Sequence, residues 1–226
     1  MPERGRITIL IPAKNEAATV AEVVRGARLH AEDVLVMDGG STDGTGARAE
    51  GAGARVVQDL GRGKGRAIRA AIAHLRGEVT VLMDADGSHD PADIPRLAAP
   101  IFESGVDHVS GSRLLGGSSE LHGGFDEWAR LAGSSFITAC INKRYGVRLS
   151  DSQNGFRAIK TEVLRSLPLR SRHTTIEQEM IVKTLRAGLK VAEVPTHEYR
   201  RRWGSSHISV WRDGPRYVLS LLELML

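Results

Sequence analysis

Four short runs of β-branched and apolar residues, at 7–11, 33–38, 54–58 and 79–83, alternate with stretches of helical periodicity over the first 90 residues. That alternation constrains the fold most. Strands joined through helices require right-handed crossovers and a mainly parallel sheet covered on both faces. The first run ends at Pro12. Val20, Val23, Val24 and Ala27 then repeat at i, i+3, i+4, i+7, one face of a helix, with Asn15 as its predicted N-cap. The second run opens into Gly39-Gly40-Ser41-Thr42-Asp43-Gly44 and a helix over 45–50. The third leads to Gly63-Lys64-Gly65 and a helix carrying Ile68, Ile72 and Leu75.

The fourth run enters Asp84-Ala85-Asp86-Gly87-Ser88. Alternate side chains of a strand share a face, so the carboxylates at i and i+2 converge if the chain turns after Met83. The carboxyl edge of a parallel sheet is where open α/β sheets bind ligands. Paired carboxylates there suit a hard divalent cation, Mg2+ or Mn2+, that also takes phosphate oxygens. Asp38 ends the second run, where it either accepts from a nucleobase or caps its own turn.

Later segments are less regular. A helix is expected over 91–103 and a strand over 106–110, then Gly111-Ser112-Arg113. The glycine-rich stretch 114–124 reads as a mobile loop, and 128–145 as a helix. Asp151 and Asn154-Gly155-Phe156-Arg157 form a polar loop into a short strand, with Asp151 either a cap or paired to Arg157. A helix over 177–187, a strand over 191–194, a basic loop over 200–207 and an apolar helix over 217–226 complete the chain.

Composition removes several classes. Hydrophobic residues make up 41%, enough for a core, while aromatics at 4% are too few for a base-stacking platform, so no nucleic acid is expected. The net charge of +4 suits an anionic ligand or membrane surface. Cys140 stands alone, which excludes a disulfide framework, and its apolar surroundings predict a buried thiol. No signal peptide opens the chain and no run reaches the ~20 apolar residues of a membrane span, so a cytoplasmic protein is expected. A Walker A loop fails because Gln58 and Gly65 stand where Gly and Ser or Thr belong. A Rossmann fingerprint fails because the 12–16 turn has no glycine.

Four motifs in register resemble family 2 glycosyltransferases of the GT-A fold. They are Ile9-Leu10-Ile11-Pro12-Ala13-Lys14-Asn15-Glu16, Met37-Asp38 through Thr45, Gly63-Lys64-Gly65 and Met83-Asp84-Ala85-Asp86. Gly111-Ser112-Arg113, Trp128 with Arg130, Asp151 with Gly155-Phe156-Arg157, Glu177 with Glu179, and Arg202 with Gly204-Ser205-Ser206-His207 are similar to the dolichol-phosphate mannosyltransferase and polyprenyl-phosphate branch. The resemblance implies one α/β domain over 1–226: a nucleotide-sugar half (about 1–113), an acceptor half (about 114–208) and a terminal helix (about 209–226).

It further implies inverting transfer of a hexose-type sugar from a GDP- or UDP-linked donor to a polyprenyl or dolichyl phosphate. Pro12, Ala13, Glu16 and Asp38 would hold the nucleoside, with Lys64 and Ala85 also on the donor. Asp84, Asp86 and Ser88 would bind Mg2+ or Mn2+, and Arg113, Arg130 and Arg202 would face the acceptor phosphate. His207 stands where the branch usually has Lys, and Gly39-Gly40 replaces the commoner Asp-Gly.

A phosphate monoester is largely ionised near pH 7 and needs only cations to position it. A hydroxyl acceptor, the alternative, needs a base, and Asp151 is the residue available. A non-catalytic sugar-nucleotide-binding subunit is the rival of another class. Arg212 and Arg216 before the terminal helix suit either a peripheral membrane contact, on the inner face, or a homodimer.

Overall fold

The computed structural model describes residues 4–59, 63–119, 125–201, 203 and 210–226. The first half follows the expected alternation: β1 (Ile7–Ala13), α1 (Val20–Arg28), β2 (Asp33–Asp38), α2 (Thr45–Gly51), β3 (Arg55–Gln58), α3 (Lys64–Ala71), β4 (Val79–Leu82) and α4 (Ile94–Ser104). The second half adds β5 (His108–Ser112), α5 (Arg113–Gly116), α6 (Phe125–Tyr145), β6 (Arg157–Lys160), α7 (Thr161–Ser166), α8 (Ile176–Arg186), β7 (Val191–Pro195) and α9 (Val210–Met225). Among the described residues the strands form one sheet in the order β3-β2-β1-β4-β6-β5-β7. All run the same way except β6, which is antiparallel to both β4 and β5. The sheet order turns back between β1 and β4, the switch point at which α/β sheets leave a crevice beyond their carboxyl ends.

The period-two alternation of β1 explains the two covered faces. Ile7, Ile9 and Ile11 enter one core with Val20, Val23, Val24 and Ala27 of α1 and Ile94, Leu97 and Ala98 of α4. Leu10 points the other way, with Leu35, Met37 and Leu82, against Ile68 of α3, Leu164 of α7 and Met180 of α8. A third cluster joins Ile137 and Ile141 of α6, Ile181 and Val182 of α8, and Leu221 and Leu224 of α9. The α8 helix is therefore wedged between two cores rather than lying with one face in water.

Several local expectations shift. Asn15 does not cap α1: its φ is +55°, its side-chain oxygen accepts from Thr42 N at 3.0 Å, and the helix starts after Thr19. The fifth strand starts at His108 rather than 106, because Gly105 closes α4 in the left-handed conformation and Val106 N still bonds Pro100 O. Residues 91–103 divide into a 3-10 turn, Pro91–Asp93, and α4. The last helix begins at Val210, well before 217. Cys140 is only partly buried, at the border of the third cluster. Within the stretch expected to be mobile, Arg113–Gly116 is a helical turn, and 120–124 lies outside the described residues. No helix among the described residues is long and apolar enough to cross a membrane.

Candidate active site

The β1 and β2 ends are laced together. Ala13 lies beside Asp38 in the parallel register, and Gly39 N bonds Ala13 O at 2.8 Å. Glu16 N donates to Thr45 Oγ1 at 2.9 Å and Ala17 N to Asp43 Oδ2 at 3.0 Å. Asp38 is buried; Oδ1 accepts from Ser41 N at 2.9 Å and Oδ2 from Gln58 Nε2 at 3.1 Å. It thus caps its own turn, and each oxygen keeps a further lone pair for a ligand. A Cβ on Gly46 would stand 2.8 Å from Asp38 Oδ2, so α2 approaches this carboxylate only with glycine there.

Beyond β4 the chain turns, and Asp84 and Asp86 are each held by a cation of the protein. Lys64 Nζ lies 2.6 Å from Asp84 Oδ1 and 2.8 Å from Glu177 Oε1. Arg201 reaches Asp86 Oδ2 at 2.9 Å. Burial pushes the Asp84 carboxyl up, but the Lys64 charge and hydrogen bond, with His89 and Arg201, together outweigh it and hold the group well below the usual carboxylate range. Burial likewise lowers Lys64, and Asp84 and Glu177 more than restore it. The Glu16 carboxyl is raised by burial and then by the neighbouring Asp86 charge, against Arg201.

Ser88 donates to Asp86 Oδ1 from both N, at 3.0 Å, and Oγ, at 2.6 Å. Its hydroxyl orients Asp86. Ala85 O accepts from Thr19 Oγ1 at 2.7 Å, which ties the turn to α1. Asp84 N donates to His89 Nδ1 at 3.2 Å, and the His89 ring stacks on Phe156 with centroids 4.7 Å apart. Gly65 brings α3 against the 171–173 backbone, where a Cβ would fall 2.6 Å from Ser171 O. That approach delivers Lys64.

Arg113 follows β5 and grips Asp151 with a fork: Nε to Oδ2 at 2.6 Å and Nη2 to Oδ1 at 3.0 Å. Glu198 stands 3.4 Å from Nη1. Asp151 also accepts from Gln153 N at 3.0 Å, and its own N–H donates to Glu193 Oε1 at 2.7 Å. Burial raises the Asp151 carboxyl, yet Arg113 and the backbone N–H donors of Gln153 and Arg113 together outweigh it and leave it below the ordinary range. The partner of Asp151 is therefore Arg113 and not Arg157. Arg157 is fully buried and donates to Asn154 O and, at 2.9 Å, to Glu177 O. Burial lowers it to about 10, against the charges of Glu177, Asp151 and Asp84.

Two segments join these halves. The 151–157 loop carries Asp151, then Gly155, whose Cβ would stand 2.9 Å from Asp84 Oδ2 and Lys64 Nζ, then Phe156 under His89. The strap after β7 bridges His89 through Glu198, bonds Ser88 O from Tyr199 N at 2.8 Å, and ends with Arg201 on Asp86.

Pro12 and Ala13 lie in β1 and Arg130 lies partly buried in α6. Arg202 and His207 lie outside the described residues. Sequence motifs left Arg201, His89 and Glu198 without a role and assigned none to Glu177. The only trace of Arg201 was its place in the basic run 200–202. Glu179, paired with Glu177 in sequence, instead caps Arg170 N and Ser171 N and bonds Lys183.

Hard oxygens at a strand end, each already holding a cation, fit a divalent ion with substrate oxygens completing its shell. Among the described residues no group of three or more His, Cys, Asp or Glu side chains is arranged to hold one alone.

The model of Glycosyl transferase family 2 matches residues 8–167. Glycosyltransferase AglJ of Haloferax volcanii is 36% identical over 98% of this chain and 72% of its own length. The polyprenol monophosphomannose synthase of Mycolicibacterium smegmatis is 31% identical over 90% of this chain and 81% of its own length. The chain spans 53% of the length of one such relative, the hexosyltransferase Agl6 of Haloferax volcanii, and 89% of another, a glycosyltransferase of Mycobacterium bovis. The glucosyl-3-phosphoglycerate synthase of Mycobacterium tuberculosis, solved with Mn2+, UDP-glucose and phosphoglyceric acid, superposes with a TM-score of 0.81 at 25% identity, covering 98% of this chain and 80% of that one. The sheet and its covering helices are the GT-A fold. The family match over 8–167 and the likeness to AglJ along nearly the whole length make this chain a member of glycosyl transferase family 2.

Proposed function

We propose that the protein transfers a hexose-type sugar, with inversion, from a nucleoside-diphosphate sugar to a polyprenyl phosphate, using Mg2+ or Mn2+. The observation that carries this reading is the pair Asp84 and Asp86, each balanced by a cation of the chain, joined by the 151–157 loop to the Arg113 fork. Pro12, Ala13, Glu16 and Asp38 would line the nucleoside side, at the paired ends of β1 and β2, and Asp84, Asp86 and Ser88, the last bonded to Asp86, would hold the metal-bearing diphosphate. When bound, the ion offsets charge that develops on the leaving diphosphate.

The chain's own residues do the rest. Asp151 fixes the plane of Arg113, and the remaining guanidinium N–H groups, with Arg130 and Arg202, position an anionic acceptor. A carboxylate held as low as Asp151 is a weak proton acceptor, whereas an ionised phosphate needs none. The names of two relatives, polyprenol monophosphomannose synthase and undecaprenyl-phosphate mannosyltransferase, support a lipid-phosphate acceptor. Exposed Val218, Leu219 and Leu222 beside Arg216 on α9 suit a peripheral membrane contact, with a homodimer as the other use of that face.

A second reading, a small soluble acceptor, is favoured by the phosphoglyceric acid in the solved relative. The deciding experiment screens hydrolysis of UDP- and GDP-sugars with Mn2+, then repeats it with polyprenyl phosphate or phosphoglyceric acid. Sugar transfer to the lipid phosphate is expected. Transfer to the soluble acid alone replaces the lipid reading, and failure to bind any nucleoside diphosphate with Mn2+ overturns both.

A further inference from the structure

A groove of about 490 Å³ lies beside the candidate active site, between α1 and the turn that follows Asp84 and Asp86. One wall is the stretch from Thr19 to His30, the other the turn from Gly87 to Ala92. Its volume falls within the range of small-molecule sites, about 300–1,000 Å³. No residue assigned to donor, metal or acceptor lines it. Glycine sets how close the walls come: a Cβ on Gly26 would stand 2.7 Å from Pro91 Cγ. Val23, Leu29, Pro91 and Ala92 give the groove apolar surface, and Leu29 is left 70% exposed.

His89 is the buried polar group of this groove, only 4% exposed. Asp84 N donates to its Nδ1 at 3.2 Å. A backbone N–H can only donate, so Nδ1 carries a lone pair and the ring proton sits on Nε2. Phe156 covers one face of the ring, stacked at 4.7 Å. The other face and the Nε2 edge are left for the groove that His89 lines. Nε2 has no acceptor among the described residues. A donor on so buried a ring is satisfied by whatever enters the groove, water or ligand.

The surrounding charges select the ligand. Asp90 follows His89 directly, and Asp84 stands on the Nδ1 side of the ring. An anion beside Nε2 would meet both carboxylates, so the acceptor that fits is uncharged. The apolar walls ask for a flat apolar body behind it.

We propose that this groove binds a small neutral amide on an aromatic body, its carbonyl accepting from His89 Nε2, and that occupancy tightens metal binding through the bond from Asp84 N to His89. The groove is independent of sugar and acceptor; its coupling rests on Asp84 and Asp86 being the metal-bearing pair. A ligand that draws on the Nε2 proton makes Nδ1 a better acceptor, which strengthens the bond to Asp84 N and steadies the turn. By linkage, Mn2+ and the amide change each other's affinity by the same factor.

The test uses the full chain, isotope-labelled for NMR, with benzamide and nicotinamide as probes and benzoate and nicotinate as their anionic counterparts. Saturable amide shifts at Gly26, Gly87 and Ala92 are expected for both neutral probes in the millimolar range, with the anions at least ~5-fold weaker. Calorimetry should show each amide tightening Mn2+ about 2- to 5-fold, and Mn2+ tightening the amide equally. Ala92→Trp fills the groove from an exposed position; it should abolish the shifts and leave Mn2+ binding unchanged. His89→Phe keeps a stacked ring and removes the donor, so amide binding should fall about 10-fold or more with the circular dichroism spectrum unchanged.

Absence of saturable shifts for both amides, equal affinity for amides and anions, or binding that survives both substitutions would overturn the site. Amide binding that leaves Mn2+ affinity untouched would overturn the coupling. Failure of wild type to bind Mn2+ at all would instead refute the metal reading beneath the coupling, while amide shifts would still establish the groove.

Discussion

Replacing Asp151 with Asn keeps the shape of the side chain and removes its charge, which makes it a clean probe of the Arg113 fork. Asp151 is 3% exposed and Arg113 24%, with contacts of 2.6 and 3.0 Å. Breaking one partner of a fully buried pair costs about 3–5 kcal/mol, because the other charge is left unpaired. Here Arg113 is a quarter exposed and keeps Glu198 at 3.4 Å, so a loss of about 2–3 kcal/mol is expected, below that range. Urea unfolding at pH 7 measures it.

The pH dependence has a definite sign. The folded carboxyl of Asp151 is depressed, so its stabilisation is complete above the unfolded value of about 4 and fades as pH falls through the folded one. The gap between wild type and Asp151→Asn should therefore stay constant from pH 8 to 5 and shrink below about 4. Arg113→Met combined with Asp151→Asn should cost less than the two singly by about 1–3 kcal/mol. A variant within about 0.5 kcal/mol of wild type at pH 7, or a gap that widens on acidification, would refute the pairing. If transfer to a phosphate acceptor shows the same pH–rate profile in both proteins, with the loss in acceptor KM, Asp151 orients Arg113. Loss of the acidic limb in the variant would mark a proton acceptor instead.

Three further outcomes are expected. Arg201→Gln should tighten Mn2+ binding in the absence of nucleotide by up to about 10-fold, since it removes the cation that occupies Asp86, whereas Arg200→Gln, on an exposed side chain, should not; calorimetry at low salt reads both. Asp86→Ala should abolish metal-dependent nucleoside-diphosphate binding with the circular dichroism spectrum unchanged, and retained affinity would remove Asp86 from the site. Gly155→Ala should weaken Mn2+-nucleotide binding by about 10-fold or more, because its Cβ would press on Asp84 Oδ2 and Lys64 Nζ at 2.9 Å; wild-type affinity would show that the 151–157 loop moves aside freely.

The sequence alone determined the alternating β–α order of the first half and the position of Asp84 and Asp86 at the end of the fourth strand. Those features are local: hydrophobic period, turn glycines and the i, i+2 geometry of a strand are written in neighbouring residues. Cap details were less legible, as Asn15 shows, because its amide was claimed by Thr42 on a different turn. The reversed direction of β6 was invisible, since a four-residue strand carries no mark of its orientation.

Only the tertiary structure decided which charges meet. Asp151 lies six residues from Arg157 in sequence yet pairs with Arg113, because β5 ends beside the 151–154 turn while Arg157 turns inward to the carbonyls of Asn154 and Glu177. Lys64 bridging Asp84 to Glu177, and Arg201 settling on Asp86, depend on α3, α8 and the strap after β7 converging at one edge of the sheet. The physical reason is the range of the interactions. Backbone periodicity is fixed within a turn or two, whereas an ion pair exists only once strand register and helix packing have brought distant side chains within about 4 Å.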